Sequence, residues 1–271
     1  MTRGTRKHLK RLNAPKSWRL DKSSGKYAPA PSSGPHSKRE CIPLTILLRR
    51  KLKVSNSEKE LAYILGKGVV LVNGVVRKDK TFPLGLMDVL TIKSTNEHYR
   101  VLYDVFRKFV LERISDEEAK IRLCKVIIKK VAAKNVPYIY TKDGSSFRYC
   151  DPQITKGDTV VVDLVERKVV DFLPLANDMK VFVTEGKNTG CVGIISCIEK
   201  HDGRDDVVNV VDAKGRSFTT KSKNVIVIGD SERTLITLPK GDGIKLSEVE
   251  KSNERFGGPV MEETKVSVDE E

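Results

Sequence analysis

"PLTILLRRKLKVSNSEKELAYILGKGVVLVNGVVRKDK", residues 43–80, carries two helical signals and a hairpin signal in direct succession. Leu44, Leu47, Leu48 and Leu52 fall at helical spacing and share one face, while Arg49, Arg50 and Lys53 lie off that stripe. Ser57 followed three residues later by Glu60 is a capping box, which predicts a second short helix with Leu61, Ile64 and Leu65 inward. Gly66 and Gly68 end that helix. "VVLVNGVV" then reads as two strands around Asn73-Gly74, because an Asn-Gly pair adopts the left-handed backbone that a tight hairpin turn requires. Two short helices and a hairpin, with cations on the first helix and with Arg77 and Lys78 after the turn, make a unit suited to an anionic partner.

On the N-terminal side lies a basic, Pro-, Gly- and Ser-rich arm. "KYAPAPSSGPHSKRE", residues 26–40, sustains neither a helix nor a central strand. Alone the arm lacks the apolar content to fold, so it is expected to order only against a polyanion. Its one tryptophan, Trp18, either packs on a neighbouring domain or stacks on a base or sugar. On the C-terminal side, Tyr99 to Leu175 is a series of short runs rich in β-branched and aromatic residues, punctuated by "KDGSS" and "TKGD". Ser115 with Glu118 forms a further capping box, expected to open a turn or two of helix. Residues 180–228 form another small β unit. Its first hairpin, "KVFVTEGKNTGCVGIISCIEK" (180–200), uses Gly186 and Gly190 for positive φ or a close backbone approach and leaves Lys187 and Asn188 at the tip.

The formal charge is +14, and the 53 N-terminal residues carry fifteen Lys and Arg against Asp21 and Glu40. Residues 242–271 hold four basic and nine acidic side chains, a net −5. A basic head and an acidic tail fit a head that lies on nucleic acid and a tail that stays off it. Five cysteines with no C-x-x-C pair, and four scattered histidines, argue against a zinc module or a disulfide framework. The N-terminus has no apolar secretory core, and Gly4, Pro15 and the lack of an apolar stripe argue against a transit helix. No run is long enough to span a bilayer. Nucleotide-binding, hydrolase and metalloprotease motifs are absent, and Asp163, Glu166 and Asp171 read as strand-surface carboxylates rather than an acid–base pair.

In order and wording these parts resemble one family closely: small-ribosomal-subunit protein number four of the eukaryotic and archaeal type. The resemblance spans nearly the whole chain and rests on "RGTRKHLKRLNAPKSW", "SSGPHSKREC", "LYDVFRKF", "RISDEEAKIRLCKV", "RYCDPQI", "DFLPL" and "ITLPKGDGIKL", all co-linear, together with the glycine turn at 185–190. It implies an α+β fold, mostly β, in several domains. These are a basic extended arm over 1–41, an alpha-L RNA-binding unit over 42–95, a central β-barrel-like domain over 96–175, a KOW-type small β-barrel over 176–229, and a C-terminal extension with an acidic tail over 230–271. The turn departs from the family's pattern at Glu185, where glycine is usual, and at Cys191, where a basic residue is common; both changes make it less cationic.

The function so implied is structural. The chain binds folded small-subunit rRNA through arm and alpha-L unit, supports subunit assembly and translation, meets neighbouring small-subunit proteins, and uses no cofactor, metal, membrane or small-molecule substrate. The expected location is cytoplasmic, in ribosomes, and nucleolar during assembly in a eukaryote. Candidate rRNA contacts are Arg3, Arg6, Lys7, His8, Lys10, Arg11, Lys16, Trp18 and Arg19 in the arm, Arg49, Arg50, Lys53, Arg77 and Lys78 in the alpha-L unit, and Lys187 and Asn188 at the turn. Two other readings are an RNA-modifying enzyme that borrows the alpha-L unit and a transcription-elongation factor built on the KOW element. The short strands between Tyr99 and Leu175 are too small for a catalytic domain, and no polymerase-facing apolar patch is legible.

Overall fold

Trp18, the residue hardest to place from sequence, is 1% exposed, and its indole N–H donates to the Cys41 carbonyl at 2.7 Å. The structure, a computed structural model, describes residues 8–231 and 233–257; the acidic ending "VSVDEE" lies outside the described residues. β1 (Leu9–Lys10) pairs with β2 (Tyr27–Ala28), with 3-10 turns at Arg11–Asn13 and Lys16–Trp18 between them. Trp18 and Ala28 join the same core as Leu44, Leu47, Leu61 and Phe109. The arm from residue 8 onward is therefore held by the protein itself, contrary to an arm that orders only against RNA. The reason is one aromatic anchor, whose burial contributes on the order of 3 kcal/mol.

β3 (Ile42–Pro43) leads into α1 (Leu44–Ile46), which widens at once into a π-helical turn, Leu47–Lys51. Leu44, Leu47 and Leu48 are buried as their spacing predicts. α2 (Glu58–Gly66) begins with the predicted capping box: Ser57 Oγ accepts from the Glu60 N–H at 3.1 Å, and the Glu60 carboxylate accepts from the Ser57 N–H at 3.4 Å. β4 (Val70–Val72) and β5 (Val75–Val76) are joined by Asn73 and Gly74 at φ 50° and 74°, the backbone of a two-residue hairpin turn.

β6 (Pro83–Leu84) pairs with β3, while β7 (Val89–Ile92), β8 (Glu97–Tyr103) and β9 (Phe109–Ile114) extend the hairpin into a five-stranded sheet ordered β5-β4-β7-β8-β9. The sheet runs unbroken across residues 95 and 96, where the sequence suggested a division, because β7 and β8 are themselves a tight hairpin with Asn96 at φ 52°. Ser115 does accept from the Glu118 N–H, at 3.3 Å, yet only a 3-10 turn, Glu118–Lys120, follows. The Glu118 carboxylate is engaged elsewhere, with the fully buried Arg100 at 3.2 Å and with Thr237 at 2.6 Å.

A second sheet, ordered β12-β11-β10-β13-β14, comprises β10 (Ile121–Val131), β11 (Pro137–Thr141), β12 (Ser146–Arg148), β13 (Thr159–Asp163) and β14 (Val169–Leu173). A third, ordered β18-β17-β16-β15-β19, comprises β15 (Met179–Val183), β16 (Val192–Glu199), β17 (Val207–Val211), β18 (Ser217–Lys221) and β19 (Val225–Asp230). Its end strands are linked by the turn Ser222–Asn224 rather than paired, and bulges at two strand pairs curl it. α3 (Glu248–Phe256) follows its own capping box at Ser247 and Glu250.

Buried charges lock these units together. Asp88 accepts from the Gly85 N–H at 2.8 Å and Asn73 Nδ2 at 2.9 Å, and lies 2.8 Å from both His36 Nε2 and Arg122 Nη2. Burial alone would raise its carboxyl, but Arg122 and His36 beside it hold it well below the usual carboxylate range. Lys125, from the second sheet, donates to the Ser222 and Val225 carbonyls of the third, the latter at 2.5 Å.

Candidate nucleic-acid interface

The predicted cations divide by what the fold does with them. Arg50 pairs with Asp21 at 2.5 Å and fastens the arm to the end of the first helix, while Arg11 Nη1 donates to the Asp21 carbonyl at 3.2 Å within the arm. The Arg50 hydrogen bond, with help from Ser24, holds the Asp21 carboxyl below its ordinary value. Arg49 Nη2 donates to the Asn56 carbonyl at 3.0 Å, and Arg77 lies over the Phe82 ring at 4.5 Å. The His8 ring sits 5.8 Å from that of Tyr27. Trp18 is a correction: sealed in the core with its N–H bonded, it has no face to offer a base. Lys10, Lys53 and Lys78 are exposed, and among the described residues none has an acidic partner within ion-pair distance. Arg3, Arg6 and Lys7 lie outside the described residues.

A denser group forms where arm, first helix and the β8–β9 hairpin meet. Lys108 Nζ donates to the Lys16 carbonyl at 2.7 Å, and Arg19 Nη2 pairs with Asp104 at 3.2 Å. The Lys51 ammonium is pushed below its ordinary pKa, first by burial and then by the charge of Arg19, with Lys108 adding to the effect and Asp104 opposing it. Arg19, Lys51 and Lys108 thus crowd around one acid, with exposed Lys16 on the adjoining turn. Such uncompensated positive charge costs stability in isolation and is relieved by a phosphate. Arg19 has φ 53°, a left-handed backbone that closes the Lys16–Trp18 turn and aims the chain at Asp104.

The glycine turn lies against this group. Gly190 has φ 89°, and a Cβ there would stand 2.3 Å from the Asp104 carbonyl oxygen. Gly186 has φ 93°, and Thr189 Oγ1 donates to its carbonyl at 2.8 Å. Lys187 is exposed at the tip, while Asn188 is half-buried and uses its carbonyl to accept from the Cys191 N–H at 3.1 Å. Glu185 faces away from the tip and pairs with Lys142 of the second sheet. Cys191 is buried, its thiol pushed up to about 11 by that burial.

Sequence reading therefore found Lys16 and Arg19, missed Lys51 and Lys108, and placed the turn without its neighbour. Lys51 adjoins Arg50 in "RRKLK" and was legible as a cation; its position was not. Lys108 comes 92 residues after Lys16 and has no local signal. Of the carboxylates weighed as acid–base groups, Asp163 ends β13 and accepts from the Val165 N–H at 2.8 Å, Asp171 lies within β14 and accepts from the Phe172 N–H at 2.8 Å, and Glu166 sits in the turn between them and pairs with Lys168. Among the described residues no group of three or more His, Cys, Asp or Glu is placed to hold a metal, and no helix is long and apolar enough to cross a membrane.

Three family descriptions match the chain: an N-terminal domain named RS4NT over residues 3–39, ribosomal family S4e over 95–169, and the 40S ribosomal protein S4 C-terminus over 212–257. A relative from Bombyx mori, small ribosomal subunit protein eS4, is 45% identical over 260 residues, covering 96% of this chain and 99% of its own. The protein of the same name from Ixodes scapularis is 47% identical over 256 residues, covering 94% and 98%. The crystal structure of the 30S ribosomal protein S4e from Thermoplasma acidophilum superposes with a TM-score of 0.62 at 32% identity, over 73% of this chain and 99% of that one.

Proposed function

The chain belongs to the S4e family of ribosomal proteins, and on that premise we propose that it is a structural constituent of the small ribosomal subunit that holds folded rRNA by its phosphates. The family and the matched relatives are ribosomal structural proteins, not enzymes. The observation that carries the finer reading is the group Arg19, Lys51 and Lys108 around Asp104, tied to the Lys16 backbone and abutted by the turn that bears Lys187. Arm, first helix and β8–β9 hairpin, distant in sequence, contribute to it, and the third-sheet turn abuts it, so the surface exists only when these parts are docked. A preformed cationic face of this kind reads backbone shape rather than base identity. Exposed Lys10, Lys53 and Lys78 widen it, whereas Arg11, Arg49, Arg50 and Arg77 hold the surface in shape.

The protein's partners in this reading are small-subunit rRNA and adjacent subunit proteins. Its place is the cytoplasmic ribosome, with the nucleolus as the site of assembly in a eukaryote. Sedimentation of the full tagged chain from cells tests it. The expected result is co-migration with small subunits and protection of the Asp104 face from lysine-directed modification. A chain that runs free, or with polymerase, overturns the reading.

A further inference from the structure

The second sheet carries a surface that the cationic group above does not explain. Between Ile121 and Cys150 there are seven Lys and Arg against one acid, Asp143, which is drawn inward to Arg122 at 3.2 Å. Strand register sorts these residues by face. Lys130 lies opposite Tyr138, which lies opposite Arg148; Ile128 lies opposite Tyr140, which lies opposite Ser146. Side chains alternate along a strand, so all six stand on one side of β10, β11 and β12. The intervening row, Lys129, Ile139 and Phe147, stands on the other side. Ile139 is 1% exposed there, Phe147 packs on the same core, and Lys129 donates to the Pro152 carbonyl at 2.6 Å. The first row therefore faces solvent, and Ile128 and Tyr140 are each 41% exposed.

On that outer face the Tyr138 and Tyr140 rings are 6.5 Å apart and within 15° of parallel, and the Arg148 guanidinium lies 5.7 Å from the Tyr138 ring. Lys130 flanks them, and Lys134 stands exposed at the hairpin tip with φ 63°. A free pair of aromatic rings with an apolar neighbour is costly to leave in water, and flanking cations with no acid among the six make a protein patch of ordinary composition a poor fit. Unpaired bases fit better: each has a π-face to lay on a tyrosine and a phosphate to set beside Lys130 or Arg148. We infer that the outer face of β10, β11 and β12 is a platform for a short single-stranded RNA segment, with Tyr138 and Tyr140 stacking successive bases and Lys130 and Arg148 taking their phosphates.

The inference rests on the chain being an RNA-binding protein but uses none of the residues of the Asp104 face, so the two separate experimentally. The test is fluorescence-anisotropy titration of the full chain with a labelled short oligoadenylate and with an RNA duplex of matched charge. Tyr138→Ala and Tyr140→Ala are each expected to weaken oligoadenylate binding roughly tenfold, with duplex binding unchanged. Tyr140→Phe, which keeps the ring, is expected to bind as the parent does. Lys130→Gln with Arg148→Gln should flatten the salt dependence of oligoadenylate binding. Thermal melting of each variant shows whether the exposed substitutions leave the fold intact, and Tyr140→Phe against Tyr140→Ala discriminates stacking at equal fold. Equal loss for duplex and single strand, or no loss on removing either ring, overturns the platform. So does a face that is silent toward oligoadenylate but cross-links to a neighbouring protein in subunits. Failure of duplex binding in the parent would instead overturn the phosphate-binding reading of the Asp104 face.

Discussion

Gly190 is where one missing side chain joins two sheets. Its φ of 89° is strained for any L residue, and a Cβ would meet the Asp104 carbonyl carbon at 2.6 Å as well as its oxygen. Gly190→Val is therefore expected to cost on the order of 1–3 kcal/mol at least, a drop of several degrees in melting temperature. Lys187→Ala, at the exposed tip, should leave melting unchanged and lower RNA affinity. A Gly190→Val protein of parental stability would show that the contact with Asp104 is not made. Glu185 does not dampen Lys187 as their closeness in sequence suggests, because Lys142 holds its carboxylate. Lys125 makes a separate prediction. Burial is the main cause that lowers its pKa to about 8, with the charge of Lys142 adding to it. The unfolded chain then binds this proton more tightly than the folded one, so its contribution is constant below about pH 8 and grows as pH rises from there toward the free-lysine value. Relative to Lys125→Met, the parent's unfolding free energy should climb across that window, by at most about 1.4 kcal/mol per pH unit. A difference that stays flat from pH 8 to 10 would mean that the ammonium is not desolvated.

Elements whose signals are local were legible, and those whose partners are distant were not. The capping box at Ser57 and the Asn73-Gly74 turn depend on atoms within four residues, and both form. The box at Ser115 has the same spelling but fails to open a helix, since Glu118 is taken by Arg100 and Thr237, the latter 119 residues away. The first helix kept its leucine face but not its pitch, as Leu47–Lys51 is π-helical; periodicity cannot distinguish that turn over so short a run. Ser57→Ala should accordingly cost about 1 kcal/mol, the ordinary value of an N-cap. Ser115→Ala should cost less, because the bond it removes, to the Glu118 N–H at 3.3 Å, caps only a 3-10 turn. Urea unfolding of the two variants checks the contrast, and an equal cost would mean that a cap on the 3-10 turn is worth as much as one on α2.

At the scale of the whole molecule, the sequence showed that positive charge is concentrated toward the N-terminus but not where the fold collects it. Part of the N-terminal positive charge is engaged by the protein itself: Arg11 in the arm and Arg50 in the first helix converge on Asp21, and Trp18 is an anchor rather than a ligand. What remains is gathered by tertiary contact, with Lys51 and Lys108 joining Lys16 and Arg19 only after the β8–β9 hairpin docks. Charge-neutral variants separate the two roles. Arg19→Gln, Lys51→Gln and Lys108→Gln together keep much of the side-chain length and remove three cations beside one carboxylate. Every phosphate left without its cation should flatten the logarithmic salt dependence of rRNA binding by roughly 0.7–0.9, so the triple variant should lose about two units or more if all three touch phosphate. Arg50→Gln frees Asp21 and loosens the arm, so it should lower the melting temperature while leaving the salt slope nearly intact. Binding of the parent and both variants to a small-subunit rRNA fragment, titrated across salt concentrations, gives the slopes directly. A triple variant with the parental slope would remove the Asp104 face from the RNA interface. A steep loss of slope in Arg50→Gln would move the interface to the arm, against the pairing seen with Asp21.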